Sequence, residues 1–310
     1  MRILVTGGSG SLGRDLVPAL LGRGDQVVVL DRECGALRGH GSRLQLIEGS
    51  VEDRTAASRA VRGVDAVVHL AWSFADDLRT LIEQDLLGQQ ILLDLCRAEK
   101  VRRFVCASSA VVYGKPLHNP IGEEHPLRPL EARKPAYGLA KEFAEKLALL
   151  AGRSGGPPAT VLRFWWAFGG EIGGRHLRDL LRTAASGEPL RVPAGSGGSF
   201  LSAQDLNQAV GLSLSHPAAP GAVFNLASAY VSWEEIARMV VEVTGSRAGV
   251  ELVPASRWTG APFLADAWEL DDRLARERLG YRPLRDPAGL RDQLQASIAR
   301  TWQALSGEAR

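Results

Sequence analysis

Six short apolar runs recur along the first half of the chain: RILVT (2–6), QVVVLD (26–31), LQLIEG (44–49), DAVVHLA (65–71), RFVCASS (103–109) and TVLRFWW (160–166). The stretches between them repeat apolar residues at helical spacing, so strand and helix alternate. That order predicts a parallel sheet with crossover helices, an α/β fold of the Rossmann-type, doubly wound class. Near-continuous Val, Ile and Leu in each run suits strands covered on both faces. AGRSGGPPA (151–159) breaks a helix before the sixth strand, and PAGSGGS (193–199) reads as a flexible loop. The second half is less regular, with VFNLA (223–227) as one strand and helices near 204–215, 232–245 and 286–305. The expected division is a sheet domain over 1–170, joined by a returning segment near 200–228, and a smaller C-terminal domain over 171–310.

Composition narrows the possibilities. At 310 residues, 45% hydrophobic and 23% charged, the chain has the make-up of a soluble globular protein. Its apolar runs are too short to span a bilayer, and no cleavable apolar leader precedes the first strand, so a cytoplasmic location is expected. Cys34, Cys96 and Cys106 form no close-spaced pair, which argues for reduced thiols rather than a disulfide framework. A net charge of +2, from 37 basic and 35 acidic residues, supplies no field for nucleic acid or an anionic membrane. The six histidines lack metal-ligand spacing and no GxSxG elbow occurs, so neither a metal site nor a serine hydrolase is expected.

TGGSGSLG (6–13) follows the first apolar run directly. Gly8-x-Gly10-x-x-Gly13 has the dinucleotide spacing: a tight turn, a close approach for pyrophosphate, and close packing of helix on strand. A helix from about Leu12 then directs its amide dipole at the phosphates. Gly8 and Gly13 also have the spacing of a triphosphate loop, but Arg14 and Asp15 stand where that loop needs Lys and Ser or Thr. QVVVLD ends in Asp31, at the distance where a carboxylate meets the adenosine ribose. A carboxylate there repels an added 2′-phosphate, so NAD is preferred over NADP; Arg32, next along, is the residue that would favour NADP.

YGLAK places Tyr137 and Lys141 four residues apart, on one helical face. A phenol with a pKa near 10 becomes a base at neutral pH only when a cation favours its phenolate, and a depression of about three units asks roughly 4 kcal/mol.

Taken in order, TGGSGSLG, Asp31, VDAVVHLA, SSAVVYG, YGLAK, LRFWWAFGG and LDDRLARERLGYRP resemble the extended short-chain dehydrogenase/reductase family, in its NAD-dependent epimerase/dehydratase group. The resemblance covers nearly the whole chain. It implies Tyr137 as general acid/base, Lys141 on the nicotinamide ribose and Ser109 hydrogen-bonding the reacting oxygen, with Ser108 structural. It implies cofactor contacts from Gly7, Gly10, Ser11, Leu12, Gly13, Asp31, Arg32, Ser50, Val51, Leu70, Ala71, Tyr137 and Lys141. Substrate contacts would come from Trp72, Ser109, Trp165, Trp166 and Arg178, in the smaller substrate-binding domain and at its border with the NAD domain.

The implied chemistry is reversible hydride transfer at a carbinol carbon of a sugar or nucleotide sugar. Ala110 and Val111 follow Ser109 where the family's dehydratases carry acids, which leaves epimerisation or simple dehydrogenation. Two departures weaken a nucleotide-sugar substrate: Trp166 replaces a substrate-contacting Asn, and Gly198 replaces a diphosphate-gripping Arg. Arg175, Arg178 and Arg182 are candidate replacements or a solvated face, and Trp165 and Trp166 either stack on a sugar or belong to the core. Ser50 and Asp85 stand where Asp and Asn are common, and His69 is assigned no catalytic role. A carbonyl reductase acting on a non-nucleotide substrate and a non-enzymatic dinucleotide sensor are the alternatives. The helices near 77–100 and from 137 are expected to pair across a homodimer, as in related proteins.

Overall fold

A computed structural model describes residues 1–247 and 249–308. The first half forms β1 (Arg2–Thr6), α1 (Gly13–Gly22), β2 (Gln26–Asp31), β3 (Leu44–Glu48), α2 (Arg54–Val61), β4 (Ala66–His69), α3 (Leu78–Thr80), a π-helical segment (Leu81–Leu86), α4 (Leu87–Ala98), β5 (Arg103–Ala107), α5 (Pro135–Arg153) and β6 (Ala159–Arg163). There follow β7 (Trp166–Phe168), α6 (Arg175–Ala185), β8 (Leu190–Pro193), β9 (Gly197–Ser202), α7 (Ala203–Ser215), β10 (Val223–Asn225), β11 (Ala229–Ser232), α8 (Trp233–Thr244), β12 (Val250–Val253), β13 (Ala267–Trp268), α9 (Arg273–Leu279) and α10 (Pro287–Glu308).

The predicted doubly wound architecture is present. Seven parallel strands run in the order β10-β6-β5-β4-β1-β2-β3. The order reverses direction at β1, so the carboxyl ends of β1 and β4 open a crevice between them, the usual ligand position in such sheets. One sheet face packs Ile3, Val5, Val27 and Val29 against α1 residues Leu16, Val17 and Leu20, and the other packs Leu4, Val28 and Val67 against Ala57 of α2 and Leu92 of α4. α7 and β10 pack with the first of these faces through Leu206, Val210 and Phe224. A separate core unites Phe168, Leu181, Phe200, Trp233, Ile236 and Leu294.

The PAGSGGS stretch is not the expected loop. Its last three residues begin β9, which pairs with β7, β11 and β13 and is buried along its length. Glycine here serves packing: a Cβ at Gly197 would lie 2.4 Å from the Val231 carbonyl, and one at Gly198 2.3 Å from the Trp165 ring.

A buried polar chain ties the elements around the site. Arg163, at the end of β6, donates to both oxygens of Glu145 on α5, at 2.9 and 2.6 Å, and to the Tyr113 hydroxyl at 3.0 Å. Ser108 donates to Glu145, and Tyr113 to Asn225 of β10 at 2.7 Å. Removing one partner of such a pair strands a charge out of water. Glu145→Ala is therefore expected to cost about 3–5 kcal/mol of unfolding free energy, measured by urea denaturation. A loss under about 1 kcal/mol would show that the pair is dispensable.

Candidate active site

The glycine loop leaves β1 through a turn at Gly7, whose φ of 71° lies in the left-handed region. A Cβ at Gly7 would sit 2.7 Å from the Ala71 amide, and one at Gly13 2.4 Å from the Gly7 carbonyl. The first glycine of the fingerprint is thus Gly7 and not Gly8. Gly8 instead packs against Val29, where a Cβ would come within 2.8 Å of the side chain. No side chain caps α1; its Arg14 amide donates to the Gly10 carbonyl and its Leu16 amide to the Leu12 carbonyl, both at 3.0 Å.

That crevice has a volume of about 760 Å³ and is lined by Gly7, Gly10, Ser11, Leu12, Gly13, Asp31, Arg32, Ser50, Val51, Leu70, Ala71 and Trp72. Asp31 accepts from the Ser9 amide on one oxygen and from the Arg32 amide on the other, both at 2.8 Å, which fixes the carboxylate at the rim. A glycine-rich loop at a helix start with no side-chain cap fits a pyrophosphate, and a fixed carboxylate fits a ribose diol. The residues present therefore suit a dinucleotide.

α5 begins on Pro135 and carries Tyr137, Lys141 and Glu145 in file at one-turn intervals. Ser109 caps the turn Ala110–Tyr113, accepting from the Val111 amide at 3.2 Å, and that turn packs against α5. Lys141 is 6% exposed; its Nζ donates to the Ala107 carbonyl at 3.1 Å and lies 3.5 Å from the Trp72 ring centroid. Burial lowers the Lys141 pKa to about 8, against the opposing potential of Cys106, Asp85 and Glu145. Burial pushes the Tyr137 phenol above its ordinary value, the Ser109 hydrogen bond opposing and Asp85 adding to the rise.

The Tyr137 phenol, expected to be lowered by the ammonium, the nicotinamide charge and local hydrogen bonds together, is pushed the other way by burial within the chain's own residues. The ammonium lies against an indole and a carbonyl oxygen, 5.9 Å from the Tyr137 ring centroid.

Trp72, expected on the substrate side, lines the crevice and has the Lys141 ammonium against its ring, whereas Ser109, Tyr137 and Lys141 are not among the residues lining the crevice. Trp165 and Trp166 join Phe200, Trp233 and His176 in an aromatic cluster with ring centroids 4.8–5.9 Å apart. Both tryptophans are half-buried and pack on the second core, and the Trp166 indole donates to the Gly173 carbonyl at 3.2 Å. Arg178 is exposed on α6. His69 accepts or donates at Nδ1 with Thr6 at 2.7 Å, and burial holds it neutral with a pKa of about 3.

The residues that sequence reasoning missed are Phe74, stacked on Tyr137 at 5.9 Å, and Ser73, bound twice by Asp85. Aromatic residues alternating around a serine in WSF were the available signal. Cys34, Cys96 and Cys106 are free and buried, and among the described residues no helix is long and apolar enough to cross a membrane.

The Lys141 shift carries a sign. The unfolded chain, titrating near 10.5, holds the proton more tightly than the folded one at about 8, so the amine opposes folding fully below pH 8 and progressively less up to 10.5. Lys141→Met is expected to raise unfolding free energy at pH 7 by up to about 3 kcal/mol, with the gain shrinking as pH rises through that window. Urea unfolding of both proteins at pH 7 and pH 10 checks it, and an equal gain at both pH values would refute it.

Comparison with known proteins agrees with this geometry. The family model described as NAD dependent epimerase/dehydratase family matches residues 3–227. The chain is 29% identical to a UDP-glucose 4-epimerase of Lactobacillus helveticus, over 91% of this chain and 92% of the relative. It is similar in structure to a short-chain dehydrogenase/reductase superfamily protein from Agrobacterium tumefaciens crystallised with NAD, at a TM-score of 0.80 and 26% identity over all of both chains. It also resembles MoeE5 in complex with UDP-glucuronic acid and NAD, at a TM-score of 0.77 and 29% identity, covering 99% of this chain and 100% of the other. With its parallel sheet, its glycine loop and this match over most of its length, the chain belongs to the NAD-dependent epimerase/dehydratase family of extended short-chain dehydrogenase/reductase enzymes.

Proposed function

We propose that the protein is an NAD-dependent epimerase or oxidoreductase acting on a sugar or nucleotide-sugar hydroxyl, with Ser109, Tyr137 and Lys141 as its catalytic set. The observation that carries this reading is their convergence beside the crevice: Tyr137 and the buried Lys141 lie one helical turn apart on α5, and the turn capped by Ser109 packs against that helix. Bound NAD supplies the hydride acceptor. Gly7, Gly10, Ser11, Leu12 and Gly13 would hold its pyrophosphate, Asp31, Arg32, Ser50 and Val51 its adenosine half, and Leu70, Ala71, Tyr137 and Lys141 its nicotinamide half. Asp31 favours NAD over NADP because two unlike groups, a ribose diol and a 2′-phosphate, cannot both suit one carboxylate.

The chain's own groups manage the proton. Ser109 holds the substrate oxygen, and Tyr137 exchanges a proton with it. Burial keeps the phenol protonated in the structure, so Tyr137 enters carbonyl reduction as the acid. In the oxidative direction it serves as base once positive charge in the closed site favours the phenolate, and Lys141 is the residue placed to contribute that charge. Buried Ala110 and half-buried Val111 follow Ser109, so no carboxylate stands there to promote loss of water. Epimerisation, in which the keto substrate turns over before reduction, or net dehydrogenation follows from that.

The similarity to proteins named UDP-glucose 4-epimerase supports a nucleotide sugar. One observation favours a second reading, a carbonyl reductase or dehydrogenase acting on a non-nucleotide substrate: the Trp165 ring fills the space beside Gly198. The sensor reading leaves the convergence of three reactive groups without a purpose. Self-association is part of the proposal. α5 exposes Leu139, Phe143 and Leu150 at helical spacing, and Leu78, Ile82 and Leu87 are exposed on the helical segments packed beside it.

Tyr137→Phe is expected to lower turnover by about 10²–10⁴-fold while calorimetric NAD affinity holds; unchanged turnover would remove Tyr137 from the chemistry. With wild-type protein, NAD and a panel of free and nucleotide sugars, isomerised product without net NADH marks an epimerase and net NADH a dehydrogenase. Silence across the panel would favour the sensor. Phe143→Glu is expected to move the sedimentation coefficient from dimer to monomer, and a wild-type monomer would end the dimer proposal.

A further inference from the structure

Trp72 and Phe74 leave the end of β4 two residues apart and both turn their rings towards α5. Trp72 meets the Tyr137 ring edge-on at 6.2 Å, and Phe74 stacks on the same ring at 5.9 Å with an interplanar angle of 24°. Ser73, between them, is held instead by Asp85, which accepts from its amide at 2.8 Å and its hydroxyl at 2.6 Å. Asp85 belongs to the π-helical segment, and single π turns recur at functional positions in helices. Phe74 has a φ of 55° and is 65% exposed, an unusual backbone conformation for a bulky apolar residue. The Phe74 ring lies against Tyr137 and also lines the crevice.

Lys141 supplies the second half of the argument. A buried ammonium ordinarily needs an opposite charge at contact distance. Among the described residues no carboxylate lies within ion-pair distance of Lys141, and its contacts are the Ala107 carbonyl and the face of Trp72. The groups facing it at longer range are Asp85 from the π-helical segment, Glu145 and Tyr137 from α5, Cys106 from β5 and neutral His69 from β4. A cation 3.5 Å above an indole centroid is well inside the range where the ring quadrupole attracts it, and tryptophan presents the strongest such face.

We propose that Trp72-Ser73-Phe74, clamped by Asp85, is a positioning bracket for the catalytic pair: the Trp72 face seats the Lys141 ammonium and Phe74 backs the Tyr137 ring. The bracket rests on the reading of Tyr137 and Lys141 as catalytic. Because Trp72 also lines the dinucleotide crevice, one indole serves as crevice wall on one side and as seat for the amine on the other.

The test uses NAD-free, full-length protein labelled with ¹⁵N-lysine, in which NMR follows the titration of each amine and Lys141→Arg assigns the resonance. Trp72→Leu is expected to bring the Lys141 titration down by about one pH unit, and Trp72→Phe by about half of that or less. Incorporation of fluorinated tryptophan, which keeps the ring's shape and drains its negative face, is expected to lower the titration stepwise with fluorine number; it serves as the second measurement should Trp72→Leu fail to fold. In turnover assays Trp72→Leu is expected to shift the pH profile in the same direction, with Trp72→Phe restoring it. A Lys141 titration that stays put in folded Trp72→Leu protein and in the fluorinated series overturns the bracket, whatever Tyr137→Phe does to activity. A titration that moves in a protein whose turnover survives Tyr137→Phe leaves the contact standing and overturns its catalytic purpose.

Discussion

The close approach of backbone to backbone at the glycine loop is the constraint on which the site depends. Gly13 begins α1 where even a methyl group would lie 2.4 Å from the Gly7 carbonyl, and Gly7 turns where one would lie 2.7 Å from the Ala71 amide. These contacts bring the end of β1, the start of α1 and the segment after β4 to one point. That point is where the strand order of the sheet reverses, so the crevice opens there and not elsewhere along the sheet.

Two buried cations near this point are handled in opposite ways. Arg163 is matched by the Glu145 carboxylate through two hydrogen bonds, and its charge is neutralised on the spot. Such a pair fixes β6, α5 and the turn after β5 relative to each other, and it has no charge left to lend. Lys141, one turn from Glu145 on α5, contacts a carbonyl and an indole and makes no ion pair among the described residues. Its proton is correspondingly easier to lose, and its charge remains available to a neighbouring phenol or ribose.

The second core shows paired choices of large and small residues. Trp165 and Trp166 are large, and Gly198 and Gly174 are small where those indoles need room. A Cβ at Gly198 would stand 2.3 Å from Trp165, and one at Gly174 2.4 Å from Trp166. Each tryptophan thus has its own glycine, and the aromatic cluster packs as core on one side while bordering the site through Val111 on the other. A single substitution at either member of such a pair leaves a clash or a void.

The strand pattern, the dinucleotide loop and the Tyr137–Lys141 spacing were all legible in the sequence, because each depends on periodicity or spacing within a few residues. Alternating apolar runs name their own strands, and a separation of four on a helix places two side chains together without reference to anything else. The choice of Gly7 over Gly8 as the turn, the burial of β9, the seating of Lys141 on Trp72 and the protonated state of Tyr137 were decided only by the tertiary structure. Each of these is set by atoms from distant segments: Ala71 against Gly7, Val231 against Gly197, the end of β4 against α5. Burial and field at a point in space depend on all the chain that gathers there, and local sequence does not record who the neighbours are.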